Sequence, residues 1–160
     1  MMVAYTLEEK VSLIVVGIGT ELKSEYTDYA GMNKEKENFR LTVEQDGRLD
    51  ALKAVAANDY VFAVNELVNR KRMYYIGVMT EAPVPEQHRE IQFAKGQYLV
   101  IKGEGKTPDD LSRMLTGFAF GQILPEADNF AYVGGPNATV EMGQRDNLVY
   151  GEMWIPVVKN

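Results

Sequence analysis

The chain has 160 residues, 46% of them hydrophobic, with a formal net charge of −6 and no cysteine. This length and apolar content suit one globular domain with its own core and exclude disorder, while the missing cysteine excludes disulfides and thiol chemistry. The acidic balance, with no dense Lys/Arg stripe to override it, repels phosphate backbones, so nucleic acid is not an expected direct partner.

The first apolar run, residues 13–18, is too short to span a bilayer, and Glu8 and Glu9 precede it where a secretion signal carries positive charge. A cytoplasmic protein with no membrane partner is therefore expected, and the sequon Asn137-Ala138-Thr139 carries no meaning there. Residues 11–20, β-branched and apolar, predict a strand, followed by a polar loop over residues 21–31. A helix is predicted over residues 33–45, with Phe39 and Val43 on one face and Asp46-Gly47 at its end; Leu49, Leu52 and Val55 open a second short helical run. Residues 60–65 and 72–80 predict paired strands around an Asn69-Arg70-Lys71 turn.

Pro83 and Pro85 mark a linker, after which the order begins again. Residues 90–103 predict one strand with a bulge or bend at Ala94-Lys95-Gly96. Thr107-Pro108-Asp109-Asp110 is a helix start, with a Thr cap, Pro in the first turn and acids at the positive end of the dipole. Leu111, Met114, Leu115 and Phe118 form the apolar stripe of that helix, and Pro125 is expected to close it. Strands are predicted over residues 130–133, 138–142 and 148–158, with Gly134-Gly135-Pro136 bending the chain.

Several motifs have plain structural readings. Gly103-Glu104-Gly105-Lys106-Thr107 ends like a phosphate-binding loop, but Val100 stands where the first glycine belongs, which leaves a helix-capping loop. Gly17-Ile18-Gly19 has Leu22 in place of a third dinucleotide-binding glycine. The helical runs around Gly47 offer only Arg48 and Lys53 as cations on the second run, too few for a DNA-reading helix. His88 is the only histidine, so a histidine metal cluster is excluded, and neither a metal nor a cofactor is expected.

Met73-Tyr74-Tyr75-Ile76-Gly77-Val78 and Glu152-Met153-Trp154-Ile155-Pro156-Val157 align through Ile76/Ile155 and Val78/Val157. Tyr75 then matches Trp154, and Met73 matches Glu152, which points to an internal duplication. Strand alternation puts Glu152 on one face with Tyr150, Trp154 and Pro156, leaving Met153, Ile155 and Val157 for the core. An acid between aromatic rings, with Met73 and Tyr75 at the matching positions, is an expected pocket for a small hydrophobic or cationic molecule. The alternative is a solvent-exposed amphipathic sheet face.

Together these features resemble the GyrI-like effector-binding domain, which occurs alone or in AraC-type and multidrug-responsive MerR-type bacterial regulators. The likeness runs through Val16-Gly17, the strand Tyr75-Ile76-Gly77-Val78, the linker prolines, Ala94-Lys95-Gly96-Gln97-Tyr98 and the ending from Glu152 to Val157. It implies an α+β fold of duplicated β-α-β-β units, with an antiparallel sheet, half-repeats of about 1–82 and 86–160, and a pseudo-two-fold ligand groove. It also implies Glu152 as the groove acid and Trp154 and Tyr75 as aromatic walls; the strand faces read above add Tyr150 and Met73 beside them. Where many members carry Pro-x-x-Glu-x-Tyr, this chain has Pro136, Thr139 and Glu141, so carboxylate and phenol are absent or shifted. The expected function is effector or drug binding without catalytic residues; a hydrolase using Glu152 and a gyrase-inhibitor-like protein-binding module are the alternatives.

Overall fold

The computed structural model describes residues 4–132 and 134–159; Val133, the expected end of one strand, lies outside the described residues. The first half contains β1 (Thr6–Lys10), β2 (Leu13–Glu21), α1 (Tyr29–Gln45), α2 (Arg48–Ala54), β3 (Val61–Val68) and β4 (Lys71–Met79). The second contains β5 (Arg89–Phe93), β6 (Gly96–Gly105), α3 (Pro108–Phe118), β7 (Phe130–Tyr132), β8 (Asn137–Arg145) and β9 (Leu148–Lys159).

All the strands join one curled antiparallel sheet in the order β1-β6-β9-β8-β3-β4-β2-β5, with β7 added on β9. The order is symmetric about its centre, where Ala63 of β3 faces Thr139 of β8. Strand-helix-hairpin units β2-α1-β3-β4 and β6-α3-β8-β9 therefore repeat, as the duplication predicts. Both hairpins close with two residues at positive φ, Asn69 and Arg70 at 51° and 68°, Asp146 and Asn147 at 54° and 65°. Paired left-handed residues are what a type I′ turn requires.

The strand expected over residues 90–103 is instead two strands, β5 on β2 and β6 between β1 and β9. Each half thus lends its leading strand to the sheet edge of the other. Ile91, Phe93, Tyr98 and Val100 all enter the same core cluster, so the apolar pattern gives little sign of the break. β1 escaped the sequence reading because Glu8, Glu9 and Lys10 make it polar.

Strand alternation builds two layers. Ile18, Ala63, Ile76 and Val78 pack under Val43, Leu49 and Leu52 of α1 and α2, while Leu99, Ile101, Met153 and Ile155 pack under Leu111 and Leu115 of α3. The intervening residues, among them Phe62, Tyr75, Val100, Val140 and Trp154, form a third cluster on the opposite face. Tyr75 and Trp154 therefore share a face, as their sequence alignment predicts, but it is the face turned away from the helices.

The α3 stripe also differs from its predicted form. Leu111, Leu115 and Ala119 are fully buried with Met114 packed beside them, whereas Phe118 is half-buried. A π-helical turn over Ala119–Ile123 shifts the phase after Phe118, and the helix runs through Pro125 to Glu126 rather than stopping at the proline. At the other end, Thr107 accepts the Asp110 N–H at 3.1 Å, the capping role foreseen for the Gly-Lys-Thr segment. Gly105 is needed there by close approach, since a Cβ would lie 2.6 Å from the Leu111 nitrogen.

Candidate functional site

α1 begins at Tyr29, four residues earlier than predicted, because the Asp28 carboxylate caps it by accepting the Gly31 N–H at 3.0 Å. The added turn extends one face of α1 bearing Tyr29, Asn33, Lys36, Glu37 and Arg40 at helical spacing. α3 and its π turn present Asp109, Ser112, Arg113, Thr116 and Phe120 at the same kind of spacing. The two faces oppose one another across a cavity of about 380 Å³, with Tyr74 of β4 also in its lining. A Glu37–Arg113 ion pair at 2.7 Å ties the helices together.

Two glycines border this space. Gly117 and Gly121 belong to the lining, and a Cβ at either would meet no atom within 4 Å. Tyr29 and Phe120 add exposed aromatic surface, and Phe120 meets Tyr132 edge-on at 5.6 Å. Lys36 also lines an adjoining cavity of about 720 Å³ with Tyr132, Asn65, Arg72 and Met73, so the ammonium group stands between the two spaces.

The electrostatics are tightly coupled. Glu141, projecting from β8 toward the helices, accepts from the two terminal Arg40 nitrogens, Nη1 and Nη2, at 2.6 and 2.8 Å, with the two side chains only 9% and 8% exposed. Burial opposes the Arg40 charge, but the hydrogen bonds and charge of Glu141 outweigh it and raise the Arg40 pKa. Burial lowers the pKa of Lys36 despite Asp109 nearby, and its ammonium lies 5.2 Å from the Tyr74 ring centroid. Asp109 is raised, chiefly by burial, against the opposing pull of Arg40. Thr139, beside Glu141 on the same face of β8, donates to Ser112 Oγ at 3.0 Å and fixes α3 over the sheet centre.

The five residues expected to form a pocket lie outside the space between α1 and α3. Glu152 accepts the Trp154 Nε1–H at 2.8 Å, and Lys10 of β1 covers the Trp154 ring at 4.1 Å. Trp154 is 7% exposed and meets Phe62 edge-on at 5.7 Å. Tyr150 and Glu152 border a separate concavity of about 460 Å³, where the Arg145 guanidinium lies 4.6 Å from the Tyr150 ring. Tyr75 is fully buried against Gly19, where a Cβ would come within 2.4 Å of the ring, and burial raises its pKa. Met73 borders the 720 Å³ cavity. Glu152, Trp154 and Tyr150 are thus brought together, while Tyr75 sits on the same face in the other half, and none of the five lines the space between the helices.

Lys36 and Arg40 did not figure in the sequence reading, and Tyr74 and Glu141 figured there only as members of aligned motifs. One signal was present in the sequence: Thr139 and Glu141 alternate with apolar Ala138 and Val140 in an otherwise strand-like run, and neither polar residue is exposed. Among the described residues, no group of acidic or histidine side chains could hold a metal ion, and no helix is long and apolar enough to cross a membrane.

The fold is similar to that of SAV2435, solved bound to tetraphenylphosphonium, at 18% identity and a TM-score of 0.77 over 97% of this chain and 94% of that one. It is similar also to a Staphylococcus aureus MU50 protein described as a bacterial transcription regulation protein, at 19% identity and 0.73 over 97% and 98% of the two chains. The integron cassette protein VCH_CASS2 of Vibrio cholerae follows at 9% identity and 0.63, over 96% and 95%. No curated protein matches the sequence. The GyrI-like, effector-binding character implied by the sequence is borne out at the level of the family: a model of integron-associated effector-binding proteins matches residues 6–157, nearly the whole chain, and the chain belongs to that family.

Proposed function

We propose that this protein binds a small, largely aromatic molecule in the groove between α1 and α3. The observation that carries this reading is the pair of glycines on the groove side of one helical segment. Glycine in a helix interior costs roughly 0.5–1 kcal/mol relative to alanine. Here no neighbour demands it, because the space above Gly117 and Gly121 is empty. The two glycines leave that wall of the groove without side chains, and the aromatic surfaces of Tyr29, Tyr74 and Phe120 give the cavity its affinity for rings. The tetraphenylphosphonium bound by SAV2435, which shares the fold, supports a ligand of aromatic character.

Titration calorimetry with triphenylphosphine oxide as the aromatic probe tests the reading. Binding is expected in the wild type and lost in Gly117→Leu, whose side chain fills the groove without disturbing the sheet. Unchanged binding in a folded Gly117→Leu protein would place the ligand elsewhere.

A further inference from the structure

We propose that Lys36 captures aromatic aldehydes as imines, which makes the groove between α1 and α3 a site of reversible covalent carbonyl binding. The proposal rests on that groove being the ligand site and names a substrate class for it. α1 places Lys36 where the cavities of about 380 and 720 Å³ adjoin, so that the residue borders both. Among the described residues no carboxylate forms an ion pair with it, whereas the neighbouring cations are held, Arg40 by Glu141 and Glu44, Arg113 by Glu37 and Asp110. The Lys36 nitrogen instead lies 5.2 Å from the centroid of the Tyr74 ring, which lines the groove. An amine without an acid partner, set against apolar surface beside a cavity, is the arrangement in which lysine serves as a nucleophile towards carbonyl carbon.

The reaction needs the neutral amine, and burial favours that form by lowering the Lys36 pKa. Asp109, in the first turn of α3, lines the same cavity, forms no ion pair among the described residues and acts electrostatically on Lys36. The step balances without a co-reactant. The amine, having lost one proton to water, bonds to the aldehyde carbon as the carbonyl π pair moves to oxygen, and an N–H proton passes to that oxygen. Asp109, which burial holds towards its protonated form, then protonates the hydroxyl. Water leaves as the nitrogen lone pair closes the C=N bond, and the iminium proton returns to the Asp109 carboxylate. One amine and one aldehyde thus give one imine and one water. Tyr29, Tyr74 and Phe120 offer ring surface to the aryl group, which on packing there displaces water that would hydrolyse the imine.

The test incubates the intact protein with limiting benzaldehyde and sodium cyanoborohydride, which reduces each imine to a stable benzylamine, and maps the benzyl groups by peptide mass spectrometry. Exposed Lys34, on the same helix, is the internal standard, because exposure alone would favour it over half-buried Lys36. Lys36 should be labelled about tenfold faster or more, equivalent to about 1.4 kcal/mol in activation free energy. Triphenylphosphine oxide and Gly117→Leu should each suppress labelling at Lys36 and leave Lys34 unchanged. Lys36→Arg keeps the cation but forms no imine, so it should still bind the oxide and lose the fast label. Asp109→Asn should slow labelling at Lys36; if Asp109 acted only through its charge, its removal would favour the neutral amine and speed the reaction. That faster rate overturns the proton route through Asp109. Equal rates at Lys36 and Lys34, or fast labelling of Lys36 that the bound oxide leaves untouched, overturn the imine site while the groove reading stands. If triphenylphosphine oxide does not bind, or binds Gly117→Leu as it binds the wild type, the groove reading itself fails and the imine site falls with it.

Discussion

On the face turned away from the helices, Trp154 gives its N–H to Glu152 and its ring to Lys10, and the space around it is filled by Phe62 and its neighbours. Between the helices the same kinds of residue meet, Glu141 with Arg40 and Tyr74 with Lys36, yet a cavity of about 380 Å³ stays open beside them. An acid beside an aromatic ring is therefore not what separates a site from a core in this protein. The difference is unfilled volume at the ring itself: Tyr74 lines the cavity between the helices, whereas Trp154 does not line the concavity of about 460 Å³ beside Glu152. Strand residues on the far face interdigitate at the close spacing of a sheet, whereas α1 and α3 oppose each other through an ion pair and two glycines that leave room between them.

Trp154 and Arg40 anchor the two regions and carry the largest expected effects. Trp154→Ala should act as a core truncation, costing about 3–5 kcal/mol in urea unfolding. Arg40→Met should cost a similar amount, about 3–5 kcal/mol, because Glu141 is left buried without its partner, and most of the loss should return when Glu141→Gln is added. A Trp154→Ala protein of wild-type stability that no longer binds aromatic probes would move the site to the far face.

Smaller effects sharpen the same contrast. Gly117→Ala should raise the unfolding free energy by about 0.5–1 kcal/mol, since open space surrounds the new methyl group and only helix propensity changes. A loss of stability there would mean that the groove closes further in solution. Glu152→Gln keeps an acceptor for Trp154 Nε1 and should change stability by about 1 kcal/mol or less, with no change in probe affinity.

The smallest expected signal is a pH dependence at Lys36. Its folded pKa is lowered by burial, so between that value and the ordinary lysine value of 10.5 the unfolded chain binds more protons than the folded one. Wild-type stability relative to Lys36→Met should therefore rise as pH climbs from the folded pKa towards 10.5 and level off above it. Denaturant unfolding of the two proteins across that range checks the sign. A difference that moves against the wild type on raising the pH would show that Lys36 is stabilised in its charged form, which would remove it from the groove's electrostatic balance.

Local chemistry made much of the architecture legible. The repeated strand-helix-hairpin order, the Thr107 cap, the α3 stripe through Leu111 and Leu115 and the faces of Tyr75 and Trp154 all follow from periods of 2 and 3.6 residues and from capping geometry. Those signals act within one element, so they also carried the duplication. What lay beyond them was pairing across long separations. Arg40 and Glu141 are 101 residues apart, each reads locally as a solvated charge, and only the docking of α1 over the sheet centre makes them buried partners. β5 and β6 likewise share one apolar pattern but part to opposite sides of the sheet, because exchange of leading strands between the halves is a property of topology. Local patterns in the chain set most of the elements and their apolar faces, though not β1 or the break between β5 and β6; the tertiary structure decided which acid meets which cation and where volume remains, since both depend on how whole elements come to rest against one another.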